Sequence, residues 1–464
     1  MRPTRATRRL SILTAAAAVV LLARGRAETT AREARDLADG ARLVAAQRIS
    51  ADAIDTVRPA ALSEDGQLIA FVARDRETSP RQCCRHVYVL DQSTGLTTRE
   101  SVNPEGAPAD GDSQAPRLSS DGRVIAFETT SSNLLPGRPR LTRQHVIVRD
   151  RPHATMRSPQ GLHVQEPNGE SREPVLSGDG SVVVFTSDAD NLVPEPDTNR
   201  RQTDIYLWRV DDSTMIRVSL DSSGVQPPIG ASHSPSVSRD GNVIAFVSTA
   251  RLASEDSNDV ADVYLRDVHR GLTSLVSRGH DGKPADGASY APALSADGRY
   301  VAFLSAAGDL GPRDRNGESD VYVYDVAAGT ITLVTATAKG AANAASRRPA
   351  ISADGRFVAY QSLASNLGSG PGCPPPASDT NLLPDVYLFD RMTRCVIRVS
   401  GSPAQEWWTP SVAPAIDGAG SLVLFSSTHP VGDDDLSTDF DLFLFLRPGR
   451  ESSAVRQDRS VGGH

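Results

Sequence analysis

The chain has few of the features that usually announce a chemistry. Only 5% of its 464 residues are aromatic, four are cysteine, and after Leu22 no long apolar run occurs, so a span across a membrane is not expected beyond that point. The formal charge is −8, which argues against nucleic acid as a partner, because phosphate binding needs a basic face. No Gly-x-Ser-x-Gly elbow, His-Glu-x-x-His helix, phosphate-binding glycine loop or Cys-x-x-Cys pair is present, and the nine histidines are scattered. Helical periodicity is missing too. What remains, Gly 36 and Pro 31 spread over the whole length, is the composition of many short strands joined by turns.

The N-terminus has the three parts of an export signal. Arg2, Arg5, Arg8 and Arg9 precede an apolar run from Leu10 to Leu22, and small residues follow at Gly25 and Ala27. Arg8-Arg9 suits twin-arginine export, whereas Ser11 suits general secretion. Residues 1–27 are therefore expected to be a signal peptide whose removal takes six arginines and no acid, moving the formal charge from −8 to −14. The mature chain is expected in the periplasm or beyond it, as a monomer. There disulfides are permitted: Cys83 and Cys84 are adjacent, and Cys373 and Cys395 share one repeat, but neither pairing follows from spacing alone.

One pattern then recurs seven times. Pro116-Arg-Leu-Ser-Ser-Asp-Gly122 returns at residues 174–180, 235–241, 292–298 and 349–355, more loosely at 59–66 and in degenerate form at 414–420. Asp65, Asp121, Asp179, Asp240, Asp297 and Asp354 are 56 to 61 residues apart, and a last interval of 65 reaches Ala419. Five residues after each turn glycine stands an aromatic: Phe71, Phe127, Phe185, Phe246, Phe303, Tyr360 or Phe425. A second column holds Tyr88, Ile147, Tyr206, Tyr264, Tyr322, Tyr387 and Phe443. A fixed period of this length marks units that bury their faces against one another, and four short strands per unit make a propeller blade.

The expected architecture is an all-β, seven-bladed propeller of four-stranded antiparallel blades over residues 42–447, after a linker at 28–41 and before a disordered tail at 448–464. The last unit lacks an outer strand, and the segment from Arg42 to Ser50 resembles an outer strand with no blade. The two complete each other, closing the ring and removing exposed sheet edges.

The repeat Pro-x-Leu-Ser-x-Asp-Gly-Arg-x-Val-Ala-Phe, followed by Asp-Val-Tyr-Leu-x-Asp, resembles that of TolB-like, WD-repeat-like propellers of exported bacterial proteins, across nearly all of 42–447. The resemblance implies fold and export, and at family level a role in the cell envelope. The chain departs from TolB itself, which has a separate N-terminal domain and a six-bladed ring.

Three groups of residues are candidates for function. Those just before the inner-strand proline should ring one mouth of the channel: Arg58, Gln114, Arg172 with Glu173, His233, Tyr290, and Arg347 with Arg348. Such a mouth suits a carboxylate or an acidic chain terminus through the planar fork of arginine, or is a solvated rim. Trp407 and Trp408, beside Glu406, offer a stacking surface for sugar or peptide, or plug the last blade. In the loops before the Tyr column, Asp256, Asn258 and Asp262 recur as Asp314, Asn316 and Asp320, and as Asp379, Asn381 and Asp385. Alternating oxygen side chains suit a structural calcium ion or Asx-turns. His86 and His145 stand where other blades have the second aspartate, as metal ligands or as its polar replacement. No catalytic residue or other cofactor is nominated. Two functions compete: a non-enzymatic propeller binding a protein, peptide or glycan of the envelope, and a secreted lyase or hydrolase acting on polysaccharide.

Overall fold

The computed structural model describes residues 42–43, 60–74, 84–135, 143–279, 281–311, 314, 316–337, 340–367, 379–400, 407–429 and 440–447. The signal peptide, linker and tail expected at the termini, Arg58, Cys83, Cys373 and Glu406 lie outside them.

Seven four-stranded antiparallel sheets follow one another along the chain: blade I (61–99), II (113–157), III (171–217), IV (232–275), V (289–333), VI (346–398) and VII (411–446 with 42–43). Blade IV shows the unit: Ser232–Val237, Val243–Ser248, Asp262–Asp267 and Leu272–Leu275. The Leu-Ser-x-Asp-Gly motif builds its first hairpin. Asp240 Oδ1 accepts hydrogen bonds from the Ser238 hydroxyl (2.6 Å) and the Asn242 N–H (3.1 Å), while Ser238 Oγ accepts from the Val243 N–H (2.9 Å). In blade VII, where Ala419 stands in place of the aspartate, Asp417 two positions earlier, at the place of the motif serine, accepts from the N–H groups of Ser421 (2.6 Å) and Leu422 (3.0 Å).

The two aromatic columns face each other across the second and third strands. Phe71–Tyr88, Phe185–Tyr206, Phe246–Tyr264, Phe303–Tyr322, Tyr360–Tyr387 and Phe425–Phe443 are stacked at 5.7–6.0 Å. Such pairs add about 0.5–1.5 kcal/mol each beyond their burial. Cores lie between neighbouring blades, as where Val184 and Leu207 of blade III pack with Ile244 and Phe246 of blade IV.

Three observations close the ring at seven. Arg42–Leu43 pairs with Asp441–Leu446, Arg42 opposite Leu444 and Leu43 opposite Phe443. The closing strand expected over 43–49 is thus in place at its start, and 44–49 lie outside the described residues. Ile69 and Phe71 of blade I share a core with Leu424 and Leu442 of blade VII. At the hairpin end of the channel, a belt of backbone hydrogen bonds of 2.7–3.0 Å runs from each N–H to the carbonyl of the next blade. It passes from Glu64 to Ser120, Gly178, Arg239, Ala296, Ala353, Gly418 and back to Glu64.

Candidate functional site

The mouth opposite that belt is built by a repeated irregularity in the inner strand. A buried serine opens the strand and bonds a hydroxyl of the second strand, as in Ser232–Ser248 and Ser346–Ser362, both 2.9 Å. The variable rim residue comes next, then a residue at positive φ, then proline. Ala115, Glu173, Ser234, Ala291, Arg348 and Ala413 all have φ between 49° and 56°, each inside a break in strand register. A non-glycine residue there costs about 1–2 kcal/mol. Because six blades accept that cost with unrelated side chains, it belongs to the architecture: it bends the strand and turns the N–H of this residue toward the preceding blade.

What receives those N–H groups differs around the ring. Glu128, wholly buried, accepts the Glu173 N–H (2.7 Å) and the Gln114 side-chain amide (3.0 Å), and also pairs with the Gln144 amide. Glu173 in turn accepts the Ser234 N–H (2.7 Å) and the Thr186 hydroxyl (3.1 Å). Gln361 accepts the Ala413 N–H at 3.4 Å. The wall positions equivalent to Glu128 and Gln361 that precede blades II, V and VI are Val72, Val247 and Leu304, which accept nothing.

The rim residues named from sequence all stand in this belt of bulges except Arg58, which lies outside the described residues. Gln114 is committed to Glu128, and Arg172 is ion-paired with Glu170. His233 Nδ1 lies 3.0 Å from the Ser234 hydroxyl. Tyr290 is 43% exposed, Arg347 is exposed and Arg348 half-buried. In one arc of the mouth, blades III and IV, the bulge N–H groups are thus met by carboxylates of the protein itself, while the arc at blades V and VI combines apolar wall with exposed Tyr290 and Arg347. Glu128, Gln144, Glu170 and Gln361 were not nominated from sequence. The signal for Glu128 was there, a charge inside the otherwise apolar strand Val-Ile-Ala-Phe-Glu-Thr.

The tryptophans separate. Trp407 is buried against Phe425, Phe443 and His429, whose ring it stacks at 4.2 Å, whereas Trp408 is 71% exposed. In the Asp/Asn loops, Asp256, Asp262, Asp314, Asp320, Asp379 and Asp385 are all buried. Asp262, Asp320 and Asp385 each accept a hydroxyl of the outer strand, from Ser277 (2.6 Å), Thr335 (2.6 Å) and Ser400 (2.5 Å). Tyr264 and Tyr322 donate to Asp256 and Asp314, and Tyr387 to Asp379 at 3.3 Å. Asn258, Asn316 and Asn381 donate to the carbonyls of Ala285 (2.9 Å), Ala342 (2.8 Å) and Trp407 (2.6 Å). Asn258 and Asn381 also cap loop N–H groups, of Val260 (3.1 Å) and Leu383 (2.6 Å), as Asx-turns do. Burial pushes Asp262 and Asp320 up to about 6, against the hydroxyl bonds that lower them. His86 is buried, with Nδ1 3.3 Å from the Ser101 hydroxyl, in the place where Asp262 meets Ser277. His145 is buried at the same point of blade II. Among the described residues, no group of three or more His, Cys, Asp or Glu is placed to hold a metal, and no helix is long and apolar enough to cross a membrane. Cys84 and Cys395 each take part in a disulfide.

No protein-family model and no curated protein matches the chain. Among solved structures it is similar to an oligogalacturonate lyase from Vibrio parahaemolyticus, at 12% identity over 88% of this chain and 93% of that one, with a TM-score of 0.51. It is similar to the β-propeller domain of the Trilobed protease from Pyrococcus furiosus, at 11% identity over 85% and 94%, with a TM-score of 0.51. TolB from Acinetobacter baumannii matches at 15% identity over 72% of this chain, with a TM-score of 0.39, and this chain covers 63% of that protein's length. At such identities the likeness is one of fold, which propellers share across binding proteins and enzymes.

Proposed function

We propose that the chain is exported and acts outside the cytoplasm as a non-catalytic recognition propeller, taking an acidic group of an envelope protein, peptide or glycan at the channel mouth. The observation that carries this reading is the asymmetry of the mouth. In blades III and IV the bulge N–H already holds a carboxylate of the neighbouring blade, Glu128 or Glu173. At blade V the wall before it is Val247, the bulge residue is Ala291, and Tyr290 and Arg347 stand exposed nearby on the same ring of positions. A ligand carboxylate seated there would take up the bulge N–H as Glu128 and Glu173 do in blades III and IV, with the guanidinium of Arg347 on the next blade as a charged second donor.

The test is retention of an immobilised peptide library made twice, with free-acid and with amidated C-termini. Wild type is expected to prefer the free acids, and R347A to lose that preference while keeping its melting temperature. Equal retention of both libraries by wild type would overturn the reading. The competing reading, a secreted polysaccharide lyase or hydrolase, gains its one support from the fold of the oligogalacturonate lyase. It predicts turnover in a polysaccharide screen, which the recognition reading does not.

A further inference from the structure

The repeats act as controls for one another, and they single out blades IV and V. In blade III a pair of carboxylates, half-buried Asp197 and buried Asp204, is bridged by the Gln226 amide nitrogen, at 3.0 Å from one and 2.7 Å from the other. The buried guanidinium of Arg217 supplies the counter-charge, 3.7 Å from Asp204, and is itself held by the Pro196 carbonyl and Gln226. In blade VI, Arg398 does the same for Asp385 at 3.4 Å. Both arginines sit opposite the column tyrosine in register, Tyr206 with Arg217 and Tyr387 with Arg398.

Blades IV and V keep the acidic pairs and lose the cation. Opposite Tyr264 and Tyr322 stand Leu275 and Leu333. Seven residues past the outer-strand hydroxyl, where blade III has Gln226, they have Pro284 and Ala342, neither with a side-chain donor. Yet Asp256 and Asp262 are 6% and 0% exposed, and Asp314 and Asp320 are 4% and 0%. Asp262 Oδ2, the atom equivalent to the one Gln226 meets in blade III, is buried with no hydrogen-bond partner, and in blade V the equivalent Asp320 Oδ2 accepts the neutral Asn316 amide (2.6 Å), which brings no charge. Two buried carboxylates without a counter-charge are strongly unfavourable. The arginine sites of the sister blades mark where a positive charge fits.

We infer that blades IV and V each bind a hard divalent cation of calcium's size between the paired carboxylates, Asp256 with Asp262 and Asp314 with Asp320, where blades III and VI use arginine. Oxygen ligands from two carboxylates and loop groups, completed by water, suit Ca²⁺, which accepts irregular geometry; Mg²⁺ demands a near-ideal octahedron. A divalent ion neutralises the pair, whereas a monovalent one leaves a net buried charge. With two carboxylates per site, affinity is expected on the order of 10⁻⁴ to 10⁻³ M, the range of extracellular calcium modules.

The test is equilibrium dialysis of the EDTA-stripped full chain against 5 mM radioactive calcium, counting ions per chain. D262N and D320N should each lower the count by one. L275R and L333R, which write the arginine of blades III and VI into blades IV and V, should do the same while leaving the folded protein insensitive to EDTA at that blade. D204N, in the arginine-balanced blade III, should leave the count unchanged. No bound calcium in wild type, or a count that a folded L275R and L333R leave unchanged, overturns the inference; the former would mean that the pairs are neutralised by a proton.

Discussion

Asp204 shows how a buried charge is both tolerated and costly. Burial raises its pKa from 3.8 to about 6, although Ser219 and Arg217 pull the other way. A carboxyl whose pKa is higher folded than unfolded binds its proton more tightly in the folded state. Its contribution to stability is fully present below about pH 4 and is lost as pH rises through about 6. D204N removes the titration. In EDTA, the fall in melting temperature between pH 5 and pH 7 is expected to be smaller in D204N than in wild type, even if the variant is less stable throughout; an equal slope would show that Asp204 does not titrate there. At this scale the sequence was informative wherever a residue repeats. The Asp and Asn positions, the His86 and His145 exchanges and the rim residues were all visible as columns. Glu128 was not singled out, because its role depends on a neighbouring blade's bulge N–H, 45 residues away, which no local pattern encodes. Trp407 and Trp408 were inseparable for the same reason: only packing decides which of two adjacent rings turns inward.

The hairpin that joins the first and second strands was the most legible element, since Ser-x-Asp-Gly states its turn chemistry outright. What it could not state is that the turn glycine of one blade touches its neighbour. Gly355 has φ +68° and Gly95 has φ +69°, so alanine is disfavoured at both by the same backbone term. A Cβ on Gly355, however, would lie 2.1 Å from the Tyr300 ring of blade V, whereas at Gly95 nothing stands within 4 Å. G95A is therefore expected to cost about 1 kcal/mol, and G355A about 2–4 kcal/mol once overpacking is added. Urea denaturation of the two variants checks this, and equal midpoints would mean that Tyr300 moves aside freely. The inner strand was half legible. Its proline marked the strand, which begins three residues earlier at a serine, but the positive φ before the proline was not foreseen, because proline at the next position biases a residue toward extended backbone instead.

The ring as a whole was readable because its closure leaves two mismatched ends, a unit lacking an outer strand and a strand lacking a unit. The backbone belt was not readable, being made of N–H and C=O groups that every residue carries. It joins blade VII to blade I through the Gly418 N–H and the Glu64 carbonyl, 2.9 Å apart, independently of the N-terminal strand. The two closures therefore do different jobs. The belt and the shared core of Phe71 and Leu424 hold the ends together, while Arg42–Leu43 covers the outer edge of Asp441–Leu446. Deleting residues 28–50 should leave a folded ring with a bare edge strand, whose unpaired N–H and C=O groups recruit another chain. The expected outcome is a lowered melting temperature and a concentration-dependent shift to dimers or larger species by light scattering, with the near-ultraviolet signature of the packed aromatic columns retained. A truncated chain that stays monomeric with unchanged melting would show that the strand covers nothing of consequence. One that loses its aromatic signature would show that the belt alone cannot close seven blades.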